Sequence, residues 1–320
     1  MIYSRIAGTG SYLPEKVLTN FDLEKLMDTS DSWIRERTGI ERRHIAADGE
    51  TTVDLAEHAA RRALDAAGLR PEDVDFIAFG TTTPDLVFPN CGVILQSRLG
   101  CRGGPAFSVE TACSGFMYAL SIADKYVRCG EDKRALVIGS ETLSSITDWT
   151  DRSTAILFAD GAGAVVLTAS EEPGILSTHL HADGHYKDTL YCGSGVSKGF
   201  SPDYKLAISM VGSEVFKSAV TLLGKAVDEA LAANGLERSA IDWLVPHQAN
   251  LRIIQAIAKK LQLPMERVVL TVQDQGNTSA ASVPLALDKA VRDGRVKRGD
   301  MLLLEAFGGG FTWGSSLVRY

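Results

Sequence analysis

Several absences narrow the reading before any motif is weighed. No apolar run approaches the ~18 residues that a membrane-spanning helix needs, so no membrane association is expected. The start, Met1-Ile2-Tyr3-Ser4-Arg5-Ile6, lacks the basic opening and long apolar core of a secretory signal, and a cytoplasmic location is expected. Cysteine is scarce: Cys91, Cys101, Cys113, Cys129 and Cys192 form an odd, scattered set with no CxxC pair, which speaks against a disulfide framework and a zinc site. Histidine is scarce as well. The pair His179-x-His181 has a metal-like spacing, but the sequence offers no acidic or Cys partner to complete it, and no metal is expected. There is no excess of positive charge. Forty acidic against thirty-three basic residues give a net charge of −7, which argues against a general nucleic-acid binder. No GxGxxG spacing occurs, and no glycine loop is followed by Lys-Ser/Thr, so a nucleotide loop is not expected.

What is present suits a large α/β protein. The 320 residues are 45% hydrophobic and 23% charged, enough apolar material for substantial cores and too little charge for extensive disorder. Strand-like runs at 75–79, 134–138, 164–167, 243–245, 268–270, 301–304 and 316–318 alternate with helical patterns. Val53, Ala56, Ala60, Ala63, Leu64 and Ala67 fit one helical face, and Thr51 with Asp54 offers a capping box. Val220, Leu223, Val227, Ala230 and Leu231 repeat that spacing in the second half. Aligned on these helices, Gly68 matches Gly235, Asp75 matches Asp242, and Phe76-Ile77 matches Trp243-Leu244. The pattern predicts a duplication, with halves at 1–172 and 173–320 joined near Glu171-Glu172-Pro173-Gly174. Residues 183–206, rich in Gly, Ser, Asp and Tyr, read as an irregular insertion.

Four segments could carry chemistry. In Val109-Glu110-Thr111-Ala112-Cys113-Ser114-Gly115-Phe116 a strand runs into small residues and then a helix, placing Cys113 near a helix start where a thiolate is stabilised. From this segment alone a small buried structural cysteine is as good a reading. Val245-Pro246-His247-Gln248-Ala249-Asn250 holds His247 on a turn at the carboxyl edge of a buried strand, where α/β sheets bind ligands; a satisfied core histidine is the alternative. Gln275-Gly276-Asn277-Thr278-Ser279 is a small-residue turn between a strand at 268–272 and a helix. The duplication predicts that Asn277 takes Cys113's place in the second half, although such turns also serve as ordinary N-caps. Phe307-Gly308-Gly309-Gly310-Phe311 would let backbone N–H groups approach a substrate as an oxyanion hole requires.

Together these residues resemble the thiolase superfamily, and within it the β-ketoacyl-acyl carrier protein synthase III family. The resemblance spans essentially the whole chain and rests on Gly8-Thr9-Gly10-Ser11-Tyr12-Leu13-Pro14, Thr38-Gly39-Ile40, Ala112-Cys113-Ser114-Gly115, His247-Gln248-Ala249-Asn250, Gly276-Asn277-Thr278-Ser279-Ala280 and Phe307-Gly308-Gly309-Gly310. It implies a five-layered αβαβα fold of two similar halves, a homodimer, and an acyltransferase that needs no cofactor. Such an enzyme condenses a short acyl-CoA with malonyl-acyl carrier protein, the initiating step of type II fatty acid synthesis. By the resemblance, Cys113 is the nucleophile, His247 and Asn277 complete the catalytic set, and the N–H groups of Cys113 and Gly309 form the oxyanion hole. Thr29, Trp33, Arg37, Arg152, Gly212, Phe216, Ala249, Asn250 and Arg252 match CoA- and pantetheine-contacting positions, with Trp33 and Arg152 sandwiching the adenine. Ser153 stands where many relatives have Gly. Phe88 matches a residue that reaches the neighbouring subunit's acyl pocket and so favours acetyl-CoA. Lys217, Arg252, Lys259 and Lys260 form a basic cluster suited to an acidic carrier protein. A condensing enzyme of polyketide or secondary metabolism and a Cys-dependent thioester hydrolase are the competing readings.

Overall fold

A computed structural model describes residues 2–130, 133–198 and 206–320. The first sheet contains β1 (Tyr3–Tyr12), β2 (Phe76–Gly80), β3 (Ala106–Val109), β4 (Arg134–Thr142) and β5 (Asp160–Ser170), in the spatial order β1-β5-β4-β2-β3. The second contains β6 (Ile175–Ala182), β7 (Trp243–Pro246), β8 (Met301–Gly308) and β9 (Thr312–Arg319), in the order β7-β8-β9-β6. In the first sheet β2 runs parallel to β3 and β4, and β5 is antiparallel to both its neighbours. In the second, β7 is parallel to β8 and β9 is antiparallel to both its neighbours. The two sheets therefore repeat one plan, β6-β9-β8-β7 echoing β1-β5-β4-β2.

Helices α1 (Thr52–Ala67), α2 (Cys91–Leu99), α3 (Gly115–Cys129), α4 (Gly212–Ala233), α5 (Leu251–Leu261) and α6 (Ser282–Arg292) complete the layers. The central strands are buried on both faces, which is why they read as continuous apolar runs. Phe76, Ala78, Ala135 and Val137 point inward to α3 and α6, as do Leu302 and Leu304 from the other sheet. Ile77, Phe79, Leu136 and Ile138 point outward to α1 and α2. Met301, Leu303 and Phe307 point to α4 and α5. The result is five layers, α1/α2, sheet, α3/α6, sheet and α4/α5.

Local signals explain several boundaries. The Thr51 hydroxyl accepts from Asp54 N, and the Asp54 carboxylate accepts from Thr51 N at 2.7 Å, forming the capping box expected from the sequence. The matched glycines behave alike, Gly68 (φ 66°) and Gly235 (φ 61°) each following its helix in the left-handed region.

Three expectations fail. Val268–Leu270 forms no strand, only a single bridge from Val268 to Leu244, and residues 272–275 form a short helix. The reason is Gln248. Its Nε2 donates to Pro246 O and Val269 O, while its Oε1 accepts from Thr271 N and Val272 N, so one side chain takes backbone groups that a ladder would have paired. Within 183–206 lies a short strand, Leu190–Cys192, paired with Ile208–Met210; residues 199–205 of that insertion are outside the described set. His179 and His181 do have an acidic partner, supplied by Glu229 of α4 at 3.2 and 2.6 Å. No group of three ligating side chains among the described residues is arranged to hold a metal ion.

Candidate active site

The strand β3 ends in a sharp elbow. Ala112 takes a left-handed conformation (φ 46°), and a 3-10 turn over Ala112–Ser114 feeds α3. The second half repeats this with Ser279 (φ 50°) and a 3-10 turn over Ser279–Ala281 that feeds α6. Matching the two elbows pairs Ala112 with Ser279 and Cys113 with Ala280. Asn277 is therefore not Cys113's counterpart, as the sequence pattern predicted; it sits three residues earlier, in a longer lead-in. That lead-in is fixed by a parallel bridge to Phe158, with Asn277 N donating to Leu157 O at 2.9 Å.

A cavity of about 810 Å³ is lined by Cys113, His247, Asn277 and Gly309, brought from four separated segments. Cys113 is only 8% exposed, and His247 and Asn277 are each 6% exposed. Of the expected CoA-contacting residues, Trp33, Arg37, Gly212, Phe216, Ala249, Asn250 and Arg252 line the same cavity, as does Ser153. Asn250 also caps α5, its Oδ1 accepting from Arg252 N at 2.8 Å. Thr29 and Arg152 lie outside the lining. The Thr29 hydroxyl is buried without a partner, and the Arg152 guanidinium stacks on the Trp33 ring, 4.6 Å from its centroid. Arg37 lies 4.5 Å from the same centroid. In this conformation Arg152 itself covers the Trp33 face where an adenine was expected.

Phe88 is 83% exposed and does not reach this chain's cavity. Lys217 and Lys259 are exposed on α4 and α5. Lys260 is tied down, its stem lying over Gly224 and its Nζ donating to Val220 O and Thr221 O, so it is less available to a partner than the sequence suggested.

The hydrogen-bond partners orient the polar groups. His247 Nδ1 lies 2.5 Å from Ser282 Oγ, and Gln248 N donates to that same oxygen at 3.4 Å. Ser282 thus engages Nδ1 and leaves Nε2 as the free nitrogen of the ring. Asn277 Oδ1 accepts from Ser279 N at 2.9 Å, leaving Nδ2 as the free end of the amide. Gly308 presses on the elbow so closely that a Cβ there would lie 2.7 Å from Cys113 N.

Electrostatics depart from the sequence reading at one point. Burial pushes the Cys113 thiol up to about 12, outweighing the hydrogen bond from Ser279 that pulls it down. Desolvation of the charged sulfur opposes the stabilisation expected from the helix start. Burial likewise pushes His247 down to about 3, so the imidazole is neutral. Two buried carboxyls went unnoticed in the sequence reading. Glu141 accepts hydrogen bonds from Thr81, Thr82, Thr83 and Ser279, with burial raising its pKa. Glu305 lines the cavity, both its oxygens lack a partner, and burial pushes it up to about 8. A charged residue inside each apolar strand run was the available signal.

Comparison with known proteins shows the family. The family model described as 3-oxoacyl-[acyl-carrier-protein] synthase III matches residues 107–184, and that described as its C terminal matches residues 231–320. The chain is 64% identical over 321 residues to β-ketoacyl-[acyl-carrier-protein] synthase III of Xanthomonas campestris, covering 100% of this chain and 99% of that one. The crystal structure of 3-oxoacyl-[acyl-carrier-protein] synthase III from Aquifex aeolicus superposes with a TM-score of 0.94 at 47% identity, covering 99% of this chain and 100% of that one. The priming β-ketosynthase of the R1128 polyketide biosynthetic pathway superposes with a TM-score of 0.94 at 37% identity, over 99% and 96% of the two chains.

Proposed function

Because this chain belongs to the β-ketoacyl-[acyl-carrier-protein] synthase III family, we propose that it condenses a short acyl-CoA with malonyl-acyl carrier protein, releasing carbon dioxide and yielding 3-oxoacyl-acyl carrier protein. The observation that carries this reading is the meeting of one thiol, one imidazole and one carboxamide in a single buried cavity.

Cys113 Sγ attacks the thioester carbonyl, and the N–H groups of Cys113 and Gly309 hold the developing oxyanion. The bond to CoA sulfur breaks, and the acyl group stays on Cys113. Malonyl-acyl carrier protein then enters and its bond to the carboxylate carbon breaks. The enolate oxygen is held by two neutral donors, His247 Nε2–H and Asn277 Nδ2–H. The engagement of Nδ1 by Ser282, which leaves Nε2 free, and the amide orientation set by Ser279 N support both roles. Burial suits neutral donors, since a neutral ring does not trap the malonyl carboxylate and its lowered pKa makes it a poor base. The enolate carbon attacks the acyl thioester, and Cys113 leaves as thiolate. Removing either donor is expected to cost about 3 kcal/mol of barrier, roughly 100-fold.

The change of sheet between β5 and β6 supports halves at 1–172 and 173–320. A homodimer in the cytoplasm is the assembly this reading requires, and exposed Leu86, Val87 and Phe88 support it as an apolar tip in need of cover. In that dimer Phe88 enters the partner's acyl pocket and selects acetyl-CoA over branched starters; isobutyryl-CoA turning over faster than acetyl-CoA would overturn that role. Thr29, Trp33, Arg37, Arg152, Gly212, Phe216, Ala249, Asn250 and Arg252 hold CoA and its pantetheine arm, with Arg152 swinging off Trp33 to admit the adenine. Lys217, Arg252 and Lys259 at the mouth attract the acidic carrier protein.

Mass spectrometry after incubation with acetyl-CoA tests the core of the reading. An acetyl adduct absent in Cys113→Ala is expected, and an unmodified parent enzyme would refute it. The likeness to a priming polyketide ketosynthase favours a second reading, in which the product enters polyketide assembly. Product formation with malonyl-acyl carrier protein and none with malonyl-CoA distinguishes the primary reading from condensing enzymes that accept free CoA thioesters.

A further inference from the structure

Arg43 is the largest fully buried side chain among the described residues. It lies on the short strand Arg42–Ile45, which pairs with Lys16–Thr19. No carboxylate among the described residues pairs with it, and burial pulls it down to about 10, so it stays charged at neutral pH. A buried cation without a counter-charge costs stability, and here only its donors can offset that cost. Those donors join three segments. Nη1 donates to Leu18 O at 3.2 Å, and Nη2 donates to Asn20 Oδ1 at 2.9 Å and to Ile156 O at 3.1 Å. A guanidinium holds its N–H groups in a fixed planar fork, which suits oxygens set in different directions.

Two of these acceptors lead to the site. Asn20 is itself fully buried, and its Nδ2 donates to Asp31 Oδ1 at 2.9 Å and to Ile40 O at 2.8 Å. Asp31 opens the helix Asp31–Thr38, which carries Trp33 and Arg37. On the other side, Ile156 O stands one residue before Leu157 O, the carbonyl that accepts from Asn277 N at 2.9 Å. Ala159 N then donates to Asn277 O at 2.9 Å, so the 156–159 segment grips the Asn277 backbone from both ends. The residues just before Asn277 are held from the same strand. Glu41 N donates to Gln273 O at 2.8 Å, Arg42 pairs with Asp274 at 3.2 Å, and Arg43 Cβ lies 3.4 Å from a Cβ built on Gly276.

We propose that Arg43 is a positioning residue for Asn277, its guanidinium fixing Ile156 and Leu157 so that the Asn277 carboxamide is presented to the enolate oxygen. It touches no substrate and acts through the backbone that holds Asn277. Without the fork, Ile156 O loses its donor and the 156–159 segment loses its tie to Asn20. The loss falls on condensation, the step assigned to Asn277. Cys113 and Gly309 belong to other segments, so acetylation at saturating acetyl-CoA is spared. The inference deepens the condensation reading above and rests on it.

The test is a double-mutant cycle on the condensation step. Acetyl-enzyme of the parent, Arg43→Met, Asn277→Ala and the double variant is mixed with malonyl-acyl carrier protein under single-turnover conditions. Acetylation of Cys113 at saturating acetyl-CoA is timed alongside by mass spectrometry. Arg43→Met is expected to slow condensation about 30-fold, as a misplaced reacting group would, with acetylation within about threefold of the parent. In the Asn277→Ala background the same substitution should change condensation by less than about threefold, because the group it positions is gone. A merely structural role slows condensation by the same factor in both backgrounds, and that result overturns the proposal. Condensation by Arg43→Met at the parent's rate overturns it, as does equal slowing of acetylation and condensation. Should Arg43→Met fail to fold, Arg43→Lys, which keeps the charge but loses the fork, enters the same cycle with the same expectations. Failure of the parent itself to take up acetyl or to condense overturns the function reading instead, and the proposal with it.

Discussion

Replacing Gly308 by alanine tests whether the elbow geometry matters to the chemistry. A Cβ built there lies 2.7 Å from Cys113 N, 3.0 Å from Ser114 N and 3.1 Å from Thr111 O. All three are backbone atoms of the elbow, and none can rotate away. Ordinary contact begins near 3.4 Å, so β8 and the elbow must part by about 0.7 Å. That displacement separates the N–H of Cys113 from the N–H of Gly309, the pair assigned to the oxyanion. Misplacing reacting groups by about 1 Å costs on the order of 100-fold, and losing one oxyanion donor costs 100-fold or more. Gly308→Ala is therefore expected to slow acetylation of Cys113 about 50-fold, some 2 kcal/mol of barrier. Overpacking should also cost about 1–3 kcal/mol of stability, lowering Tm by a few degrees. The assay is the time course of the acetyl adduct, with thermal unfolding alongside. Acetylation within about threefold of the parent, at unchanged Tm, would refute the claim that this contact fixes the hole.

Three further outcomes are expected. Ser282→Ala releases Nδ1 of the His247 ring, so condensation should slow about 10- to 100-fold while acetylation holds; equal rates in both steps would refute the role given to that contact. Gln248→Met leaves Val269 O and the N–H groups of Thr271 and Val272 without their partner, and should cost about 3–5 kcal/mol in urea unfolding; an unmoved midpoint would refute it. Glu305 keeps its proton in the folded chain to about pH 8, whereas an ordinary carboxyl releases it near 4.5. Stability relative to Glu305→Gln is therefore greatest below pH 4.5 and is lost by about 1.4 kcal/mol per unit as pH rises to 8. Unfolding at pH 5 and pH 8 checks this, and a constant difference between the two proteins would refute it.

The layered fold was legible because its signals are local. Buried strands read as apolar runs, and Thr51 with Asp54 marked a helix start that the structure reproduces. Cys113, His247 and Asn277 stood out for the same reason, each lying in a small-residue turn beside an element with clear periodicity. What escaped the sequence depends on contacts across the fold. The apolar, β-branched Val268-Val269-Leu270 reads as a strand, and nothing local reveals that the Gln248 carboxamide takes its backbone groups. The duplication was visible in two helix ends, but the match of Asn277 to Cys113 failed because the second half carries extra residues before its elbow. Only the left-handed Ser279 fixes the true register. The burial that opposes a Cys113 thiolate escaped as well, because a helix start can be read from sequence and full burial cannot. Glu229 lies 48 residues beyond His181, and only the packing of α4 on the second sheet brings them together.

The two elbows share a backbone and differ in chemistry, and packing accounts for the difference. Each seats on a strand of the opposite sheet, the first on β8 at Gly308 and the second on β4 at Gly139, where a Cβ would lie 2.2 Å from Ala280 O. In the first, the residue after the left-handed position opens onto the cavity and is a cysteine. In the second, the matching Ala280 is 1% exposed and faces Gly115, with 3.3 Å between its Cβ and one built on that glycine. A nucleophile there would meet helix backbone rather than substrate. The second elbow contributes instead through the residues that precede it. Its longer lead-in carries Asn277 to the cavity, and the left-handed Ser279 lines the same cavity. One half thus supplies the sulfur, and the other supplies the imidazole and the carboxamide that line the same cavity. A single asymmetric site arises from two similar halves because only one elbow has open space in front of it.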